Sequence, residues 1–137
     1  MTHDAVLLHD HVRLEMLAHA RDEAPRECCG LLIGSNLVID ECVRVRNIDE
    51  SATRYLIDPA AHVAVIRRLR GSARSIVGCY HSHPHSPAIP SDTDLREARY
   101  EDFVWIIVSL AAPTRDDVAA YRLAGDGFVR LPIIPAV

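Results

Sequence analysis

Apolar and polar positions along the chain recur with two different periods, and the switches between them mark out the elements. Ala5 to Leu8 reads as a short first strand. From Asp10 to about Glu23 the apolar positions Val12, Met16, Leu17 and Ala20 fall at helical spacing, with Asp10 as a cap and Pro25 beyond the end. Cys28 to Ile33 is a short apolar run closed by Gly34-Ser35-Asn36, which predicts a strand and a tight turn. Leu37 to Val45 is its hairpin partner, and Asn47 to Arg54 is a polar loop leading to the extended piece Tyr55-Leu56-Ile57. Asp58-Pro59 starts a second helix, a capping carboxylate before a proline at the first helical position. That helix runs to about Arg70 and is expected to bury Val63, Ile66 and Leu69 before Gly71-Ser72 ends it. Ser75 to Tyr80 is the next strand, followed by a proline-rich loop from Pro84 to Pro90. Ser91 caps a third helix from Asp92 to about Tyr100. Phe103 to Leu110 is a central apolar strand, and Asp117–Leu123 pairs with Phe128–Ile133 across Gly125-Asp126-Gly127. The order is strand, helix, hairpin, helix, strand, helix, then three strands. It predicts an α/β architecture with one mixed β-sheet and helices packed on it.

Composition narrows the function classes. A length of 137 residues fits one domain over 1–137, and 49% apolar residues suffice for a core. A formal net charge of −4 argues against a nucleic-acid binder held by phosphate contacts. The longest apolar run, Phe103 to Ala112, is strand-sized, so no membrane association is expected. Met1-Thr2-His3-Asp4 lacks the basic start and apolar stretch of a signal peptide. Cys28, Cys29, Cys42 and Cys79 form no C-x-x-C pair and no disulfide framework, which predicts reduced, mostly buried cysteines in a cytoplasmic protein.

The chemistry concentrates in Tyr80-His81-Ser82-His83-Pro84, with Ser91 and Asp94 shortly after. Residues two apart on a strand share a face, so the two imidazoles can converge on one ion, and Asp94 adds an oxygen ligand. Two histidines and a carboxylate form the ligand set of a catalytic zinc site with an open fourth position, one ion per chain. A general base must then take a proton from water and pass it to a leaving amine. Glu27, at the start of the apolar run Cys28 to Ile33, is the candidate. Ser91 has two readings, a helix cap or a hydroxyl donor to the oxyanion of a tetrahedral intermediate, and both stand.

Glu27, His81-Ser82-His83-Pro84, Ser91 and Asp94 together resemble the signature of the JAMM (MPN-plus) zinc metalloprotease family. That signature is a Glu, then His-x-His-Pro, then Ser-x-x-Asp, with the interval between the second His and the Asp filled here by positions 84 to 93. The phrase Glu27-Cys28-Cys29-Gly30-Leu31-Leu32-Ile33-Gly34 also resembles the family's segment around its catalytic Glu. The resemblance implies a cytidine-deaminase-like JAMM/MPN fold, zinc on His81, His83 and Asp94, Glu27 as the activator of water, and Ser91 at the oxyanion. The deaminase signature itself, H-x-E with P-C-x-x-C, is absent. The compact chain is most similar to bacterial stand-alone members. This implies hydrolysis at the C-terminal tail of a ubiquitin-like sulfur-carrier protein, the expected partner. The alternatives are a metal-free scaffold of the same fold and a zinc hydrolase of a non-protein amide.

Other residues read more plainly. His85 is expected to be exposed rather than a ligand, and His3, His9, His11, His19 and His62 default to the surface. Cys79 shares the face of His81 but reads as a buried filler, and Trp105 as core. Arg67, Arg68 and Arg70 form a solvated helix end. Arg54 to Ile57 and the Pro84–Pro90 loop are the expected walls of a substrate groove, with Leu56 offering a backbone donor to an extended tail.

Overall fold

Side-chain alternation along the central strands divides the interior into two cores, one on each face of a single sheet. The computed structural model describes residues 4–49, 51, 53–98, 102–111 and 117–137. Among these, β1 (Val6–His9) leads into α1 (Asp10–Glu23), then the hairpin β2 (Cys29–Ser35) and β3 (Val38–Val45). Next come α2 (Pro59–Leu69), β4 (Ser75–His83) and α3 (Asp92–Glu97). The chain ends with β5 (Val104–Ser109), β6 (Val118–Ala124), β7 (Gly127–Leu131) and β8 (Ile133–Ala136). The strands form one eight-stranded mixed sheet in the order β7-β6-β5-β4-β2-β3-β1-β8. β4 lies parallel to β5 and antiparallel to β2. The expected mixed α/β sheet with helices on both faces is therefore present.

On one face, α1 lays Val12, Met16, Leu17 and Ala20 against Leu8, Leu32, Tyr80, Ile106 and Val108. On the other, α2 lays Val65 and Leu69 against Leu31, Ile33, Cys79, Trp105 and Ile107. Consecutive residues of β2, β4 and β5 thus alternate between cores, which is why these strands are apolar throughout. Gly30 makes the α1 face possible. A Cβ there would run into the Tyr80 ring and the Val43 carbonyl oxygen.

Several local expectations change. His9, not Asp10, is the N-cap of α1, and it makes no side-chain capping bond; Asp10 is already in the first turn. Helix α2 buries Val65 and Leu69, whereas Val63 and Ile66 are exposed. Ala61, Val65 and Leu69 stand four apart and form one stripe, and a helix can present only one stripe to the sheet. His19 is buried, not on the surface, with Nδ1 2.7 Å from the Tyr80 hydroxyl. Helix α3 ends at Glu97; Tyr100 and His3 lie outside the described residues. The final apolar stretch is two strands. β7 stops at Leu131, Pro132 accepts a hydrogen bond from Val6 N–H at 2.8 Å, and β8 pairs parallel with β1. No helix among the described residues is long and apolar enough to cross a membrane.

Candidate metal centre

The centre is built at the C-terminal end of β4, on the α2 face of the sheet. β4 alternation sends Ser82 to the opposite side, where its Oγ accepts from Cys28 N–H at 2.7 Å. Ser82 N–H donates in turn to the Cys28 carbonyl at 3.1 Å. These two bonds extend the β2–β4 register, in which Cys29 is opposite His81, by one residue. A further step places Glu27 opposite His83, and residues directly opposite in an antiparallel pair share a face. The strand pairing thus brings the carboxylate of one strand to the imidazoles of the next.

His81 Nε2 and His83 Nε2 are 3.2 Å apart. Asp94 Oδ2 lies 3.2 Å from the first and 3.1 Å from the second. All three side chains are buried. Tetrahedral ligands about 2.0–2.1 Å from a zinc ion stand roughly 3.3 Å from one another, so this triangle has the size of such a ligand face. The orientation of His83 is fixed from behind. Its Nδ1–H donates to the Pro87 carbonyl at 2.8 Å, which leaves the Nε2 lone pair directed into the triangle. His81 is fixed by the Tyr55 ring, stacked on it at 4.3 Å between centroids and 17° between planes.

Asp94 arrives from α3 through a capping box. Ser91 Oγ accepts from Asp94 N–H at 3.0 Å, and Asp94 Oδ2 accepts from Ser91 N–H at 2.9 Å. The cap reading of Ser91 therefore holds. A serine hydroxyl keeps its own hydrogen when it accepts, so the donor role is compatible with it.

Electrostatics follow from burial and proximity. Burial opposes ionisation of Asp94, but the two imidazoles beside it outweigh that and hold the carboxyl well below its usual range. Burial lowers His81. Burial also works against charged His83, yet Asp94 and the Pro87 carbonyl raise it. Glu27 is pushed up to about 7, first by burial and then by the Asp94 and Asp49 carboxylates, with His83 opposing. Glu27 Oε1 is buried with no hydrogen-bond partner among the described residues. A dry carboxylate with an open lone pair beside a metal-sized triangle is suited to take a proton from a small ligand there.

The residues outside the triangle also fall into place. Cys79 lies on the same face, with its thiol pushed up to about 12 by burial, and stands outside the cluster of His81, His83 and Asp94. All four cysteines are free and buried. His85 is exposed. Leu56 does not serve as the expected open donor, because its N–H is taken by Asn47 Oδ1 at 2.9 Å and its carbonyl by Ile48 N–H at 3.0 Å. With the Asn47–Ile57 bridge setting the alternation, the backbone groups pointing away from the loop belong to Tyr55 and Ile57. Two contributors were not singled out from sequence. Tyr55 entered as part of an extended piece and groove wall but not as a partner of His81, and buried Asn47 only as the start of a polar loop. The sole signal for Asn47 is an amide residue directly after the apolar strand Val38–Val45 and Arg46.

Residues 9–124 match the family described as prokaryotic homologues of the JAB domain. The desampylase of Haloferax volcanii is 31% identical over 140 residues, covering 97% of this chain and 98% of the relative. The CysO-cysteine peptidase of Mycobacterium tuberculosis is 31% identical over 120 residues, covering 86% of this chain and 82% of the relative. The solution structure of protein DSY2949 from Desulfitobacterium hafniense superposes with a TM-score of 0.87 at 31% identity, covering 96% of this chain and 92% of that one. The match spans strands β2 to β6, both large helices and every residue of the centre, and the chain belongs to the prokaryotic JAB domain family.

Proposed function

We propose that the protein is a zinc-dependent metallopeptidase that hydrolyses an amide at the C-terminal tail of a ubiquitin-like sulfur-carrier protein. The observation that carries this reading is the convergence of His81, His83 and Asp94 at 3.1–3.2 Å beside a carboxyl raised to about 7. The names of the Haloferax and Mycobacterium relatives support the substrate class. A zinc ion held by His81, His83 and Asp94 would supply Lewis acidity toward a carbonyl and toward water, whose pKa it lowers to roughly 7.

Glu27 takes a proton from the attacking water as the new C–O bond forms. It returns that proton to the nitrogen as the C–N bond breaks, so the amine leaves neutral. The Ser91 hydroxyl donates to the oxygen that gains charge in the tetrahedral intermediate, while its oxygen continues to cap α3. Tyr55 and Ile57 offer outward backbone groups to an extended tail, and the Pro84–Pro90 loop is the facing wall. A cavity of about 520 Å³, lined in part by Tyr55, Leu56, Ile57, Phe103 and Trp105, opens beside this segment.

The test is turnover of a folded carrier ending in Gly-Gly joined through an amide to cysteine or to a lysine side chain. The parent protein should release the amine, chelation should abolish release, and added zinc should restore it. Glu27→Gln should keep its zinc and lose at least a hundredfold in kcat. Undiminished turnover by the chelated protein or by Glu27→Gln overturns the reading.

A further inference from the structure

We infer that Asn47 is a positioning residue for Glu27, a single amide that sets the catalytic carboxylate and the groove wall in one frame; this rests on the role proposed for Glu27. Asn47 is the buried residue at which three backbone segments meet. Its Nδ2 donates to the Glu27 carbonyl at 2.9 Å and to the Arg54 carbonyl at 3.1 Å. Its Oδ1 accepts from Asp49 N–H and from Leu56 N–H, each at 2.9 Å. A primary amide has two donors and two acceptor lone pairs, so its whole capacity is used.

The partners are not interchangeable. Two belong to the far arm of the loop, around the segment that carries Tyr55 onto His81. One is the near arm at Asp49. The fourth is the main chain of Glu27 itself, just before it enters β2. Arg26, the residue preceding Glu27, adds a second tie by donating to the carbonyls of Asn47 at 3.3 Å and Asp49 at 2.9 Å. The Glu27 carboxyl has no hydrogen bond through Oε1 to hold it. Its placement therefore depends on the backbone, and on one side that backbone is fixed by Asn47 and on the other by the Cys28–Ser82 pair. Catalytic geometry tolerates little displacement, so a loosened Glu27 loses rate before it loses binding. A residue placed only to stabilise the loop has no need to reach the Glu27 carbonyl, since Arg54, Asp49 and Leu56 suffice to close it.

Two variants separate the halves of the amide. Asn47→Asp keeps the acceptor and removes the donors. In this variant the amides of Asp49 and Leu56 should stay protected from hydrogen exchange and zinc content should hold. With the carrier adduct as substrate, kcat should fall tenfold or more while KM stays within about twofold. Asn47→Ala should lose protection at both amides, lower kcat at least as far, and raise KM as the wall opens. A Leu17→Ala control, destabilised on the α1 face, should keep the parental kcat per folded molecule. Parental kcat in Asn47→Asp overturns the inference, as does an Asn47→Ala protein whose only loss is thermal stability. If the parent cleaves no adduct, the proposed reaction fails by itself, and exchange still decides the frame: parental protection of Asp49 and Leu56 in Asn47→Ala overturns it, and loss confined to those amides and Glu27's neighbours supports it.

Discussion

At the scale of single residues, Glu27 is the group whose environment and task are most tightly linked. Its carboxyl is raised from 4.5 to about 7, chiefly by burial. A carboxyl raised in the folded state binds its proton more tightly there than in the unfolded chain. Its contribution to stability is full below pH about 4.5 and is lost as pH rises through about 7. Between pH 5 and pH 8 the metal-free parent protein should therefore lose more stability than Glu27→Gln does. At pH 8 the variant should gain on the order of 3 kcal/mol relative to the parent, read from denaturation midpoints in chelator. Parallel pH curves for the two proteins would show that burial does not govern this carboxyl. In the role proposed for it Glu27 must be ionised to accept a proton, so kcat should decline on the acid side of its working value. The triangle makes a separate prediction. His81→Ala and Asp94→Ala should each purify with little zinc, whereas the parent should hold about one ion per chain. Elemental analysis decides, and full zinc in both variants would remove these residues from the ligand set.

At the scale of elements, the site is assembled by ordinary rules of strands and helix ends, and that is why much of it was legible. Alternation in β4 puts His81 and His83 on one face, and Ser91 followed by Asp94 reads as a helix start whether or not a metal is in mind. Helix α3 has six residues, too few to hold together by itself, so its capping box is what keeps Asp94 in place. Ser91→Ala should cost about 1 kcal/mol of stability and should also weaken zinc binding, measured by chelator competition. Ser91→Thr, which keeps the cap, should restore zinc binding. An unchanged zinc affinity in Ser91→Ala would mean that the imidazoles alone hold Asp94. The parts that sequence did not disclose share a cause. Asn47 acts on main-chain groups at Glu27, Asp49, Arg54 and Leu56, and no side-chain pattern marks a residue whose partners are backbone. Helix α2 carries apolar residues at Ala61, Val63, Val65, Ile66 and Leu69, enough for two competing stripes, and only packing selected Val65 and Leu69. Leu131 to Ile134 looks like one apolar run because the break at Pro132 changes the strand's partner, not its composition. The error over Leu56 is of the same kind, since its amide was already engaged within the loop. Ile57→Pro, which removes an outward amide, should raise KM for the carrier adduct more than it lowers kcat if the tail pairs there.

Across the whole molecule, the sheet keeps two functions on opposite faces. Packing against α1 supplies one core, while the α2 face carries the second core together with His81, His83 and Asp94. Gly30 lies at the contact between them, in β2 yet beneath the Tyr80 ring. Gly30→Ala should destabilise by about 1–3 kcal/mol or more through overpacking, while the folded fraction should still bind zinc. Loss of zinc at full stability would contradict that division. Pro132 has a further consequence. It is the only residue between β7 and β8, which stand at opposite ends of the strand order. Leu131 and Ile133 can lie no more than roughly 7 Å apart, so the two ends of the sheet must curl toward each other at that corner. One bent ribbon thus brings the two edge strands together at a corner, with Pro135 removing one donor from the outermost strand. The tail proposed above is therefore expected to pair at Tyr55 and Ile57, where the Tyr55 ring is stacked on His81, and not at the sheet margins.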